Sequence, residues 1–249
     1  MKPAAVGYMA VAIIASLVHL AAQAESDFDY ALSLTTSYSE ASQSVRILDK
    51  YASFRTGGGG LKLEVSHSGY GGLYVGAGGG YSPKETASFV GANVSGSATS
   101  TFYEYGYSHE YAVSAAGGLV FAVDYVAYDI TGDFSGDRAG VPVTAQITSD
   151  ISTTNFSLAW RQSFSDQVHV SLGLGRSRWA IEALAKGSLG QSIRATTEAR
   201  AVGEDPLYFI KAEVNAFGYP LDVRYQRSAL SADNSVALNA IQLRLRLPL

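Results

Sequence analysis

The chain has 249 residues, with 18 basic against 22 acidic side chains, 26 glycines, 16 tyrosines and no cysteine. An acidic balance argues against a nucleic-acid partner, and the missing cysteines exclude a disulfide framework. Beyond the N-terminus no apolar run is long enough for a membrane-spanning helix, although 47% of the residues are hydrophobic. The first 24 residues read as a secretory signal peptide. Lys2 precedes an apolar run through Val11, Ile13, Ile14, Leu17 and Val18, and Ala22-Gln23-Ala24 supplies a small-residue cleavage site. An N-terminal membrane anchor is the alternative. Cleavage leaves one domain, 25–249, with 17 basic and 22 acidic side chains once Lys2 is gone.

Alternation with period 2 runs through that domain and predicts strands. Segment 28–38 sets Phe28, Tyr30, Leu32 and Leu34 against Asp29, Ala31, Ser33 and Thr35. Segment 60–67 sets Leu61, Leu63 and Val65 against Lys62, Glu64 and Ser66, and 72–82 sets Leu73, Val75 and Ala77 against Tyr74, Gly76, Gly78 and Gly80. In 101–110, Tyr103, Tyr105 and Tyr107 oppose Glu104, Gly106, Ser108 and Glu110; in 117–130, Leu119, Phe121, Val123 and Tyr125 oppose Ala122 and Asp124. Segment 152–163 places Phe156, Leu158 and Trp160 against Asn155, Ser157, Ala159 and Arg161, and 167–179 places Val168, Val170, Leu172 and Leu174 against His169, Ser171, Gly173 and Gly175. In 206–217, Tyr208, Ile210, Ala212 and Val214 oppose Lys211, Glu213 and Asn215; in 221–228, Leu221, Val223 and Tyr225 oppose Asp222, Arg224 and Gln226. The last segment, 236–247, sets Ile241, Leu243, Leu245 and Leu247 against Gln242, Arg244 and Arg246.

These segments make about 10 strands, with 8 or 12 possible because 43–54 and 86–94 also alternate and would be extra strands or hairpin extensions. Connections alternate between short (near 68–71, 111–116, 164–166 and 218–220) and long (near 39–59, 83–100, 131–151 and 180–205). That is the pattern of an all-β, single antiparallel up-and-down transmembrane barrel with both termini on the short-turn, periplasmic side. A soluble β-sandwich also alternates, and is the competing fold. The polar face decides between them. It carries Asp29, Lys62, Glu64, Glu104, Glu110, Asp124, Arg161, Lys211, Glu213, Asp222, Arg224, Arg244 and Arg246, nearly balanced in sign, as a narrow lumen requires. Aromatics gather at segment ends as interfacial girdles: Phe28, Tyr70, Phe164, Phe217 and Tyr219 beside the short turns, Tyr81, Tyr125 and Trp179 beside the long connections.

On these features the chain resembles small Gram-negative outer-membrane β-barrel proteins as a general class. The resemblance implies an outer-membrane location, contact with outer-membrane lipids and lipopolysaccharide, and insertion by the barrel assembly machinery. Members usually end in an aromatic residue that this machinery reads; here the end is Pro248-Leu249.

Chemistry finds little footing. His67, His109 and His169 each sit beside a predicted short turn, whereas omptin-type proteases and lipid A deacylases place catalytic histidine toward the outer face. Ser108, His109 and Glu110 spell a triad, but neighbours on a strand point to opposite faces. There is no H-E-x-x-H or Cys/His cluster, no dinucleotide loop at Gly76–Gly80 and no phosphate loop at Gly57–Gly60, so neither metal nor cofactor is expected. The expected function is non-enzymatic: a small porin-like channel or structural barrel. Arg161, Arg224, Arg244 and Arg246 would form a basic wall facing Glu64, Glu104 and Asp124. The alternative is an adhesion or ligand-binding protein acting through its long external loops, above all 180–205, with Arg194, Glu198, Arg200 and Glu204.

Overall fold

The computed structural model describes residues 28–47, 50–89, 92–190, 193–216, 218–228 and 236–249; the segment read as a signal peptide lies outside them, as does Phe217. Ten strands follow one another: β1 (Phe28–Ile47), β2 (Lys50–His67), β3 (Gly71–Phe89), β4 (Ala92–Ser114), β5 (Gly117–Arg138), β6 (Val141–Ser165), β7 (Val168–Leu189), β8 (Ile193–Ala216), β9 (Tyr219–Ser228) and β10 (Val236–Pro248). Each pairs antiparallel with its sequence neighbours, and β1 pairs with β10 to close the barrel. The seam runs from Ala31↔Pro248 to Gln43↔Val236, and the Leu249 amide donates to the Tyr30 carbonyl at 3.0 Å.

The connections read as long external loops are strand for most of their length. Segment 131–151 is the top of β5 and β6, joined by Ala139-Gly140; 180–205 is the top of β7 and β8, so Arg194, Glu198, Arg200 and Glu204 are strand residues. Segments 39–59 and 83–100 likewise extend β1–β2 and β3–β4. Ala139 and Gly140 both have positive φ (53° and 80°), the two-residue turn whose twist matches the flanking strands, and Asp137 Oδ1 accepts from the Gly140 amide at 2.7 Å.

Polarity divides each long strand in two. In the half beside the short turns, the outward rows are apolar and exposed: Leu34, Leu61, Leu73, Leu172, Leu174, Ile210 and Leu243 among them. About nine residues per strand suffice to cross a bilayer core at barrel tilt. Tyrosines border this band on its far side, with Tyr105 stacked on Tyr125 at 4.9 Å and Tyr208 and Tyr225 exposed on neighbouring strands. Phe28, Tyr70, Phe164 and Tyr219 border it below. Trp179, expected among the outer aromatics, instead turns inward and donates its indole N–H to Asp205. Its odd number on β7 gives it the same face as Ser171 and Ser177, which are buried.

Above the tyrosines the faces exchange character. On β6, Thr144, Gln146 and Asp150 face out and are exposed, while Val143 and Ala145 face in and are buried. With Ala92, Val94 and Phe134 they form the hydrophobic core of the extension. The extension is thus built as a water-soluble sheet, apolar inside and polar outside.

One outward row of the extension is unfavourably charged. Asp129, Asp150 and Glu182 stand in register on β5, β6 and β7, followed by Arg200 on β8, which pairs with Glu182 at 3.5 Å. Desolvation, and then the hydrogen bond and negative charge of Asp150, raise the Asp129 carboxyl above the usual carboxylate range. The folded state holds that proton more tightly than the unfolded chain does. This raised carboxyl therefore favours folding at pH below the usual carboxylate pKa, and that benefit is lost as pH rises through the raised value. Asp150→Asn is expected to raise the thermal midpoint at pH 7 and to change it little at pH 3, read from the heat-induced loss of the compact gel band. An equal gain at both pH values would show that charge is not the cause.

Candidate functional site: an ion-paired lumen

The inward rows of the membrane-facing half bring the charged residues together. Asp29 lies exposed at the short-turn rim. The others form pairs that mostly skip a strand and therefore act as chords across the interior. Arg161 on β6 reaches Glu110 on β4 at 3.0 Å and Glu213 on β8 at 2.9 Å. Lys211 bonds Glu213 and lies 3.5 Å from Asp222 on β9. Arg244 on β10 bonds both Asp222 and, across β1, Glu64 on β2. Arg246 adds a second contact to Glu64 at 3.2 Å. Lys62 on β2 meets Glu104 on β4 at 3.1 Å, across β3, and its ammonium lies 3.9 Å from the centre of the Tyr74 ring. The Tyr74 hydroxyl donates to Asp124 on β5, across β4. One continuous chain, Glu110–Arg161–Glu213–Lys211–Asp222–Arg244–Glu64–Arg246, thus links β4 through β6, β8, β9 and β10 to β2.

The network is shielded from solvent in its middle and open at the short-turn rim, where Glu110 is exposed. Lys62, Glu104, Asp124 and Asp222 are between 5% and 8% exposed, values that side chains lining a wide water-filled channel would not show. Such burial is tolerable because nearly every charge has a partner of opposite sign or a hydrogen-bond donor.

The basic wall takes a different form from the one expected. Arg244 and Arg246 do meet Glu64, but Arg161 meets Glu110 and Glu213. Glu104 is taken by Lys62 and Asp124 by Tyr74. Arg224 meets no carboxylate within salt-bridge reach among the described residues; its guanidinium lies over the Phe209 ring at 4.3 Å. Phe209 was missed as a lumen residue, although it shares parity with Lys211 and Glu213 on β8; Tyr74, set on the polar face with Gly76 and Gly78, was not recognised as the partner of Lys62 and Asp124. Their rings lie over glycines of the adjacent strand: Tyr74 over its register partner Gly106, Phe209 over Gly173.

The histidines lie at the short-turn end. His67 packs between Phe28 and Tyr70, with ring centroids at 4.9 and 4.6 Å. His169 Nδ1 and Ser163 Oγ are hydrogen-bonded at 2.8 Å. The acid in register with His169 is Glu213, which Arg161 and Lys211 hold. No group of three or more His, Asp or Glu suited to a metal occurs among the described residues.

No known family profile matches the chain, and no curated protein does. Solved structures do match in fold. The translocator domain of the autotransporter NalP from Neisseria meningitidis aligns over 98% of this chain and 96% of its own, with a TM-score of 0.54 and 9% identity. OmpT, an outer-membrane protease of Escherichia coli, aligns over 89% and 94% at TM-score 0.43 and 8% identity. Ail, the attachment invasion locus protein of Yersinia pestis, aligns over 89% and 100% at TM-score 0.39 and 12% identity. The likeness to the NalP domain is one of fold: this chain has the β-barrel architecture of outer-membrane proteins.

Proposed function

We propose that the protein is an integral outer-membrane barrel whose lumen is closed by its own ion pairs, a structural rather than a conducting or catalytic barrel. Its outward apolar band meets the lipid, its termini lie on the periplasmic side, and the barrel assembly machinery inserts it. The observation that carries this reading is the chain of chords from Glu110 to Arg246 together with the buried Lys62–Glu104 pair and the buried Asp124 above it. A channel needs a continuous polar path, and at the level of the ion pairs most of the lumen charges are spent on one another. The acid in register with His169, Glu213, is held by Arg161 and Lys211 rather than by the imidazole of the Ser163–His169 pair, in keeping with the non-enzymatic role proposed. Adhesion through long loops is not favoured, since the segments that suggested it are strands.

Planar-bilayer recording tests the closed lumen. Refolded protein, shown to be folded by its heat-modifiable gel mobility, is expected to give no discrete conductance steps. Reproducible steps with an ion preference would overturn the reading and return the lumen charges to the role of a selectivity filter.

A further inference from the structure

Directly above the ion-paired floor the lumen opens into a cavity of about 280 Å³. One wall is apolar and is built by the exchanged faces of β5, β6 and β7, including Tyr128, Ile130, Ile147, Ile151 and Ile181. The opposite wall is polar, with Gln226 and Ser228 of β9 and Gln242 of β10. Among the described residues, two of the groups that line this cavity are unsatisfied. Arg224 lies over the face of Phe209 with no carboxylate in reach among the described residues, and its buried Nε has no acceptor. Asn155, 7% exposed, has a buried Oδ1 with no donor. Buried polar groups without partners are rare and mark places where one is missing. The neighbouring carboxylates differ: Asp124 already receives the Tyr74 hydroxyl and Asp205 the Trp179 indole N–H.

We propose that this cavity binds a small amphipathic carboxylate, with its apolar body against the isoleucine wall and its head group on the Arg224 guanidinium. Arg224 is what points to an anionic head group. Among the described residues the other lumen cations each meet a carboxylate and Arg224 does not, so its guanidinium is the group open to an anionic head. Asp124 and Asp205 keep their charge under the neutral donors Tyr74 and Trp179 and set the competing preference that the cationic probe tests. Turning the Asn155 amide end for end would add an N–H donor to the same head group. The inference rests on the closed floor, and bilayer recording judges that floor separately.

Trp179 lines the cavity and reports on it. The chain holds only two tryptophans, and Trp160 faces outward, so Trp160→Phe leaves Trp179 as the single fluorophore. Octanoate is the probe, with octylammonium as its cationic counterpart. Octanoate is expected to change Trp179 emission saturably, and octylammonium to leave it unchanged. Arg224→Gln, folded by gel mobility, is expected to weaken octanoate binding roughly tenfold or more, the scale of a charge-assisted hydrogen bond. Ala183→Phe, which fills the cavity from its apolar wall while leaving Arg224 in place, is expected to abolish the response. The proposal is overturned by no saturable change, by an unchanged response in Arg224→Gln, or by octylammonium binding as well as octanoate.

Discussion

Arg244→Ala is expected to lower the stability of the folded barrel by about 3–5 kcal/mol, the scale for removing one partner of a buried ion pair. Arg244 is the junction of the lumen chain: it bonds Asp222 on the adjacent strand and Glu64 two strands away. Without it, Glu64 keeps Arg246 at 3.2 Å and Asp222 keeps Lys211 at 3.5 Å, but two shielded carboxylates share a diminished positive field. The urea midpoint for loss of the compact gel band measures the effect. Arg200→Ala supplies the control, since its pair with Glu182 is exposed on both sides and should be worth no more than about 1 kcal/mol. Neutralising the orphaned acids in the same chain, with Glu64→Gln and Asp222→Asn, should recover much of the loss. If Arg244→Ala shifted the midpoint no further than Arg200→Ala, the network would not hold the barrel together.

The second large effect concerns a position with no side chain. Gly173 on β7 lies beneath the ring of Phe209, its register partner on β8, and a Cβ built there would come within 2.1 Å of the ring's Cζ. The same device recurs where Phe102 covers Gly78, whose Cβ would lie 2.6 Å from the ring, and where Tyr74 covers Gly106 at 2.7 Å. Rings laid flat over neighbouring glycines fill a narrow lumen without pushing the strands apart. Gly173→Val is therefore expected to prevent the compact, heat-modifiable form from appearing on refolding. Phe209→Ala in the same chain vacates the clashing space and should restore it, at the cost of the surface on which Arg224 rests. Failure of the double variant to fold better than Gly173→Val alone would assign the defect to β-strand backbone geometry instead.

The membrane-facing half of the barrel was legible because one rule holds throughout it. Leu61, Leu63 and Val65 against Lys62 and Glu64, or Leu172 and Leu174 against Ser171 and Gly173, keep apolar side chains on one parity and polar ones on the other. The extension was not, because the rule inverts there. In β6 the apolar parity passes from Phe156 and Leu158 to Ile151, Ile147 and Val143 with no break in the strand. A search for constant parity ends the strand at that point and reads the remainder as loop. Trp179 was misplaced for the same reason, taken as an interfacial aromatic when its parity belongs to the lumen. The lumen charges could be named from parity alone, but their partners could not. Which chord forms depends on the stagger between strands. That stagger brings Arg161 to Glu110 and Glu213 rather than to Glu104, and no local pattern encodes it.

The β1–β10 seam has a consequence for how the molecule is made. Every other pairing joins sequence neighbours through a turn and can form as soon as its hairpin is available. The seam joins residues roughly 200 positions apart, so its loop-closure entropy falls on the final step. Until then a nearly complete sheet presents two long unpaired edges, each a template for any other extended chain. The interval before β1 meets β10 is thus the hazardous period in this protein's life, and the one in which an escort has most to do.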